Sequence, residues 1–227
     1  MSEQEILTDP ATFPEQNQTF FIRGPKGKLE VISDVPDPEE SHGAIAIICH
    51  PNPAQGGTLR NKVVHILERS LRELGVHTIK FNFRGVGQSE GEFDNGVGEV
   101  DDLNAVVDWV MQTRPQDALW LAGFSFGSWI AAKAAQSLPV KQLISIAPPV
   151  EMYPFDALEE VRFPWLVVQG DEDEVVSAES VKTWVENTEP KPQLIMMNES
   201  GHFFHRRLMD LRGVIKNGIR RQHPDWS

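Results

Sequence analysis

The stretch that decides the fold is residues 118–127, ALWLAGFSFG, which runs into the alanine-rich residues 128–135. Its apolar first half is typical of a buried strand, and the alanines that follow indicate a helix with a face of small residues. Between them lies the pentapeptide G-x-S-x-G, centred on Ser125. A turn this tight holds the serine in a strained backbone conformation, and flanking glycines let strand and helix approach closely. An N-cap serine in a glycine-rich turn is the alternative interpretation.

Strand-like and helix-like segments alternate along the rest of the chain. Other apolar runs typical of buried strands are residues 44–49, 76–83, 142–147, 165–168 and 193–197. Helical spacing of apolar or small residues recurs in segments 59–74, 100–111, 131–135, 181–185 and 204–219. Ahead of them, two β-prone runs, 18–23 and 28–33, flank the turn sequence GPKG. The pattern predicts an α/β fold, a doubly wound and mostly parallel sheet with an N-terminal antiparallel hairpin.

Size and charge exclude several classes of protein. The chain has 227 residues, with 21 Lys and Arg against 33 Asp and Glu, so its formal net charge is −12. This acidic balance argues against nucleic acid or an anionic membrane surface as a partner. We expect one domain over residues 17–227, preceded by a flexible N-terminal arm over residues 1–16, which are polar and contain two prolines.

Cofactor and location follow from what the sequence lacks. Cys49 is the one cysteine, so no internal disulfide is possible, and its buried-strand context favours inert packing. There is no nucleotide-binding fingerprint and no Cys/His cluster, so we expect no cofactor and no metal. Without a signal-peptide pattern or a run of 18 apolar residues, we expect a cytoplasmic protein.

Polar side chains follow two later strands of the predicted sheet. Residues 165–168 lead into the acidic loop GDEDE at 170–174, and residues 193–197 lead into NESGH, which ends at His202. The carboxyl ends of parallel strands meet at one edge of the sheet, where ligands bind. A serine hydroxyl needs a base and a group that orients the base before it can attack a carbonyl. Serine, acid and histidine in this chain order match that requirement.

With these residues in place, the sequence resembles the α/β-hydrolase fold family from about residue 18 onward. Residues 49–53, CHPNP, with GGT at 56–58, are similar to the H-P-x-P loop of small, lidless bacterial serine hydrolases. Residues 82–91, NFRGVGQSEG, are similar to a stretch found after the fourth strand of many such enzymes. The resemblance implies that Ser125 is the nucleophile and His202 the general base.

The resemblance also implies which carboxylate orients the histidine. Family members carry it in the form G-x-x-D-x-x-V, which Gly170, Asp173 and Val176 satisfy. Asp171 remains the alternative, whereas Glu172 and Glu174 are interpreted as solvated loop charges. His205 lies within the predicted last helix, so we interpret it as structural or on the surface.

Two backbone amides are expected to hold the negative charge that develops on the substrate's carbonyl oxygen. Phe126, directly after the nucleophile, supplies one. Pro51 has no N–H, so we expect Asn52 to supply the other. His50 either shapes this loop or is a core histidine.

Two charged features have structural and functional interpretations. Arg84 either bonds loop carbonyls or binds an acidic substrate, and the structural role is favoured. The acidic residues between 90 and 102 are expected to form a solvated helix start.

Only residues 148–163 separate two predicted strands where related enzymes carry a helical cap, so we expect no substantial cap domain and an open pocket. Its predicted walls are apolar and include His50, Phe124, Phe126, Pro148, Pro149, Met152, Tyr153 and Phe155. Such a site suits a small-molecule ester of short to medium acyl length. The function expected is that of a carboxylesterase. A thioesterase or small-peptide hydrolase would use the same triad, and a non-catalytic ligand-binding protein is the alternative of another class.

Overall fold

The computed structural model describes residues 7–159 and 161–226, which form one eight-stranded sheet. The strands are β1 (Gln18–Gly24), β2 (Gly27–Asp34), β3 (Ala44–Cys49), β4 (His77–Phe81), β5 (Ala118–Phe124), β6 (Gln142–Ile146), β7 (Trp165–Gly170) and β8 (Gln193–Met197). Their order is β1-β2-β4-β3-β5-β6-β7-β8. The pairs β1/β2 and β2/β4 are antiparallel, and all the others are parallel. The predicted parallel sheet with an N-terminal hairpin is confirmed.

Helices cover both faces of this sheet. They are α1 (Lys62–Arg72), α2 (Gly98–Thr113), α3 (Phe126–Ala135), α4 (Ala178–Asn187) and α5 (Leu208–Gln222). One core contains side chains of α2, α3 and α4, and the other contains those of α1 and α5. Alternate residues of β3 enter opposite cores, Ile47 the first and Ile48 the second. A strand buried on both faces therefore reads as a continuous apolar run.

The last helix starts later than its apolar spacing predicts. Phe204 and Arg206 have φ angles of 50° and 64°, which no α-helix accommodates, so α5 begins at Leu208. His205 consequently lies in the turn before α5 and is exposed, not inside the helix.

The segment before β1 is held to the domain, which differs from the expected loose arm. Phe13 is buried and its ring lies 5.8 Å from that of Trp109. The indole Nε1 of Trp109 donates to the carbonyl of Pro10 at 2.9 Å. Thr8 forms a bridge with Phe21 of β1. Residues 7–16 thus pack on α2 and β1, while residues 1–6 of the predicted arm lie outside the described residues.

The connection from β6 to β7 is short. The regular secondary structure among its described residues is limited to one 3-10 turn, Phe155–Ala157. The expectation of no substantial cap is confirmed, and the carboxyl edge of the sheet remains open at this point.

A buried ion pair anchors the loop that follows β4. Asp102 of α2 accepts hydrogen bonds from the backbone amide of Arg84 at 3.0 Å and from its Nη2 at 2.8 Å. Arg84 is 3% exposed and Asp102 is 0% exposed, so the guanidinium is paired inside the protein and has a structural role. Glu99 is also buried and accepts the amides of Asp94 and Gly96. The expectation of a solvated acidic helix start is therefore wrong for Asp102 and Glu99.

Replacing Asp102 should destabilise the fold strongly. Asp102→Asn leaves the buried guanidinium of Arg84 without its counter-charge, so we expect the free energy of unfolding to fall by about 3 kcal/mol or more. Glu179→Gln, which removes a surface partner of Lys182, is the control and should leave the free energy nearly unchanged. Urea unfolding of both variants measures the difference, and equal losses would contradict the role of the buried pair.

Candidate active site

Ser125 sits in the tight turn between β5 and α3. Its backbone has φ 52° and ψ −123°, a region that non-glycine residues rarely adopt. A Cβ on Gly123 would lie 2.2 Å from the carbonyl oxygen of Gly127, and one on Gly127 would lie 2.2 Å from that of Cys49. Only glycine fits at both positions, so the pentapeptide is required by the packing of α3 against β3 and β5. The Ser125 side chain makes no capping hydrogen bond to α3, which removes the N-cap interpretation.

The Ser125 hydroxyl instead meets His202, which lies in the loop between β8 and α5. The imidazole Nε2 is 3.0 Å from Ser125 Oγ, and Nδ1 is 2.9 Å from Asp173 Oδ2. An ionised carboxylate only accepts, so Nδ1 carries the proton and donates it to Asp173. Nε2 is then the acceptor for the serine hydroxyl. The three side chains form one directed chain of hydrogen bonds, and His202 is only 3% exposed.

Asp173 is held by further donors from its own loop. Its Oδ1 accepts the amides of Val175 and Val176, each at 2.8 Å. Burial opposes ionisation, but the bonds from His202 and from these amides outweigh it and hold the pKa of Asp173 below its ordinary value. Asp171 lies elsewhere, with its Oδ1 3.4 Å from the amide of Ser200. Of the two candidate carboxylates, the structure brings Asp173 to the histidine.

Two residues that sequence reasoning missed support this arrangement. Glu174 accepts the backbone amide of His202 at Oε2, 3.0 Å away, so it is not merely a solvated loop charge. Gln169, at the end of β7, donates from Nε2 to Asp173 Oδ2 at 2.9 Å. Both contacts depend on how the loops after β7 and β8 fold against one another, and no spacing in the sequence signals them.

The loop after β3 is shaped by His50, which is fully buried. Its Nε2 accepts the backbone N–H of Phe83 at 3.1 Å, so Nδ1 carries the proton and donates to the carbonyl of Pro51 at 2.7 Å. Burial lowers the pKa of His50 to about 4 against the opposing effect of the Pro51 bond. The histidine therefore stays neutral near pH 7, with both ring nitrogens engaged.

This bond orients the peptide between Pro51 and Asn52. In a planar trans peptide the carbonyl and the N–H point in opposite directions, so holding the Pro51 oxygen also aims the Asn52 N–H. Asn52 caps a short 3-10 turn through its side chain, and no described residue accepts its amide. Phe126 is the first residue of α3, where an amide has no acceptor within the helix. Both expected oxyanion donors are thus uncommitted backbone amides.

The expected pocket walls divide into buried and accessible groups. Phe124 is buried with its ring 5.1 Å from that of His202, and Phe155 is buried between Trp129 and Trp184. Phe124, Phe155, Pro148 and His50 are all buried, so they do not form the accessible pocket wall that was expected of them.

Three further side chains are exposed or half-buried. Tyr153 is half-buried with its ring 5.6 Å from that of Phe126, and Met152 is 58% exposed. Phe203 is 39% exposed and packs edge-on against His202, a position that the sequence reading missed although it directly follows the histidine.

Over residues 7–159 and 161–226, no group of three His, Cys, Asp or Glu is placed to hold a metal ion. None of the helices in those ranges has the length and apolar character needed to cross a membrane.

Comparison with known proteins gives consistent relatives. Residues 47–163 match the sequence profile of the alpha/beta hydrolase fold family. A structure from Xanthomonas campestris, described as an α/β serine hydrolase without a lid, is 46% identical with a TM-score of 0.90 and covers 93% of this chain and 97% of its own. An alpha-beta serine hydrolase homologue from Coxiella burnetii is 48% identical with a TM-score of 0.88, covering 91% and 99%. A protein of Rickettsia prowazekii is 34% identical over 87% of both chains. This chain therefore belongs to the alpha/beta hydrolase fold family, in the small branch without a lid.

Proposed function

We propose that the protein is a carboxylesterase that cleaves small to medium acyl esters through an acyl-enzyme on Ser125. The observation that carries the proposal is the chain of hydrogen bonds from Ser125 Oγ to His202 and on to Asp173, at 3.0 and 2.9 Å. Two relatives described as serine hydrolases, both above 40% identity, support the same class of chemistry.

In the first half-reaction, Ser125 Oγ attacks the ester carbonyl carbon while His202 Nε2 takes its proton. Asp173 keeps the imidazole in the tautomer that leaves Nε2 free to accept, and its negative charge stabilises the imidazolium that forms. Negative charge moves to the former carbonyl oxygen, where the amides of Asn52 and Phe126 are the proposed donors. The imidazolium then protonates the leaving alcohol, and the carbon–oxygen bond of the ester breaks.

In the second half-reaction, water replaces the alcohol. His202 accepts a proton from the water, whose oxygen attacks the acyl carbon, and then returns a proton to Ser125 Oγ as the acid leaves. His202 thus acts first as the base and then as the acid in each half-reaction.

The surroundings of Ser125 support a modest, apolar substrate. The connection from β6 to β7 carries no cap, and the accessible side chains that contact His202 and Phe126, those of Phe203 and Tyr153, are aromatic. An open site of this kind accepts a short acyl group but shields little of a long one from water. A thioester would present its carbonyl group to the same catalytic residues, so thioesters are the alternative substrate class. The cytoplasmic location remains a prediction from the sequence.

Removal of the proposed nucleophile should abolish turnover. Ser125→Ala should lower kcat on p-nitrophenyl acetate and butyrate by about a thousandfold or more. Ser137→Ala, in the exposed turn after α3, is the matched control and should keep full activity. Initial rates across esters of increasing chain length and one thioester test both the role and the substrate class. Near-normal turnover by Ser125→Ala would exclude the proposed nucleophile.

The two aspartates of the loop after β7 should differ sharply. Asp173→Asn replaces the acceptor of His202 Nδ1–H with an amide and favours the wrong tautomer, so kcat should fall by about a thousandfold. Asp171→Asn removes a negative charge from the same loop but leaves the carboxylate that binds His202 intact, so kcat should change little. Steady-state kinetics of both variants on one ester test this difference. A larger loss of kcat in Asp171→Asn would show that Asp171, and not Asp173, orients the histidine.

The free energy of unfolding should depend on pH through His50, the buried histidine of the oxyanion loop. Its pKa is about 4 in the folded protein, below its ordinary 6.5, so the unfolded chain binds the extra proton between these values. The stabilisation is complete above pH 6.5 and is lost as pH falls toward 4, by at most about 3 kcal/mol. His77, whose pKa is also about 4, contributes in the same window.

The variant His50→Gln isolates this contribution, because His77 remains. Urea unfolding between pH 4 and 7 should show a weaker pH dependence than in the wild type. At pH 7, kcat should fall about tenfold or more while KM changes less, because the Asn52 amide is no longer aimed. An unchanged kcat in the folded variant would show that His50 is only a core histidine.

A further inference from the structure

The carboxylate of Asp173 receives four hydrogen bonds, and two of them come from side chains outside its own loop, those of His202 and Gln169. Oδ1 accepts two backbone amides, from Val175 and Val176. Oδ2 accepts His202 Nδ1–H at 2.9 Å and also Gln169 Nε2–H at 2.9 Å. The glutamine therefore shares the oxygen atom that binds the histidine.

Gln169 has an unusual environment for an amide. It is 0% exposed, and its Oε1 makes no hydrogen bond with any residue in the described ranges. Its Nε2 also lies 3.1 Å from the carbonyl oxygen of Gly170. The orientation of the amide follows from chemistry, because turning it over would set Oε1 against the carboxylate and Nε2 away from it. A buried carbonyl left unpaired disfavours folding, and an apolar side chain of the same length would avoid that loss.

We propose that Gln169 is a positioning residue for the reaction, acting on His202 through Asp173 Oδ2. The inference rests on the proposed function and deepens it. With Oδ1 already held by two backbone amides, the added effect of Gln169 falls on the charge and direction of Oδ2. A donor on that oxygen draws charge away from the bond to His202, which limits how firmly the imidazolium is held and eases its return of the proton to the leaving group.

Removing the Gln169 donor should therefore change two measurable properties that a purely structural role would leave unchanged. Oδ2 becomes more basic, so the protonated form of His202 is favoured and the acid limb of the kcat/KM profile moves to higher pH. Proton return to the leaving group becomes harder, so kcat falls while KM changes little.

Several other charged or titratable groups lie on the two loops that carry Asp173 and His202, and they are unchanged in the variants. They are Asp171, Glu172, Glu174, Glu199, His205 and Arg207. A shift between wild type and variant thus reports on Asp173 and His202 themselves.

The test uses the full chain with Gln169→Met, and Gln142→Met as its matched control. Gln142 is equally buried, but it is the first residue of β6 and so lies at the amino ends of the parallel strands, away from the site. There its Nε2 donates to the carbonyl of Leu143 and to the side chain of Gln222. We expect Gln169→Met to lose kcat by about tenfold or more and to move the acid limb to higher pH. Gln142→Met should do neither, although both variants lose a buried amide.

The titration of His202 followed by NMR of its imidazole Cε1–H measures the same coupling without a substrate. A midpoint that moves to higher pH in Gln169→Met supports the inference, even in a protein whose wild type turns over no ester and whose proposed function has therefore failed. An unchanged midpoint together with an unchanged kcat overturns the inference. A lower kcat with an unmoved acid limb also overturns it, since a loss of packing explains that result.

A second variant keeps the test decisive where Gln169→Met fails to fold. Gln169→Glu preserves the shape, and as a neutral acid it donates to Asp173 Oδ2 as the amide does. When it ionises, its charge repels Asp173, so kcat should fall as pH rises through a range where the wild type is constant. A kcat that follows the wild-type profile across the pH range in which this glutamic acid ionises overturns the inference.

Discussion

The close approach of α3 to the ends of β3 and β5 is the constraint on which the site depends. It exists because Gly123 and Gly127 place no side chain where backbone carbonyls already lie, 2.2 Å from an added Cβ in each case. That approach forces Ser125 into its left-handed φ of 52° and lifts its hydroxyl out of the helix cap. It also sets the first amide of α3 beside the loop that His50 holds. One packing requirement therefore positions the proposed nucleophile and both proposed oxyanion donors.

The rest of the site is built on the neighbouring strands by hydrogen bonds rather than by packing. The loops after β7 and β8 bind one another, since Glu174 accepts the His202 amide, Asp171 approaches the Ser200 amide and His202 donates to Asp173. Gln169 of β7 donates to the same carboxylate. Because Asp171, Asp173 and Glu174 each accept a defined hydrogen bond, the acidic loop is an ordered scaffold for one imidazole. The same logic holds on the other side, where Arg84 and Asp102 form a buried pair beneath the loop that contacts His50.

Much of this could be predicted from sequence because it depends on local pattern and chain order. The strand, turn and helix around Ser125 are contiguous, and the acidic loop and His202 follow successive strands, so a parallel sheet must bring them to one edge. Helix α5 began later than predicted because two residues with positive φ interrupt an otherwise helical spacing. The burial of Phe124 and Phe155, the anchoring of residues 7–16 and the contacts of Gln169 and Glu174 depend on tertiary packing. An aromatic residue in a loop has the same sequence signature whether it faces solvent or a neighbouring ring.

The central claim is that Ser125 is an activated nucleophile, and the most direct measurement is peptide mapping by tandem mass spectrometry after treatment with a fluorophosphonate. An unactivated serine does not react with this reagent at an appreciable rate, whereas one paired with a histidine base does. The account predicts one phosphonyl group per chain, located on Ser125. A folded protein that remains unmodified, or that carries the group on another residue, would contradict it.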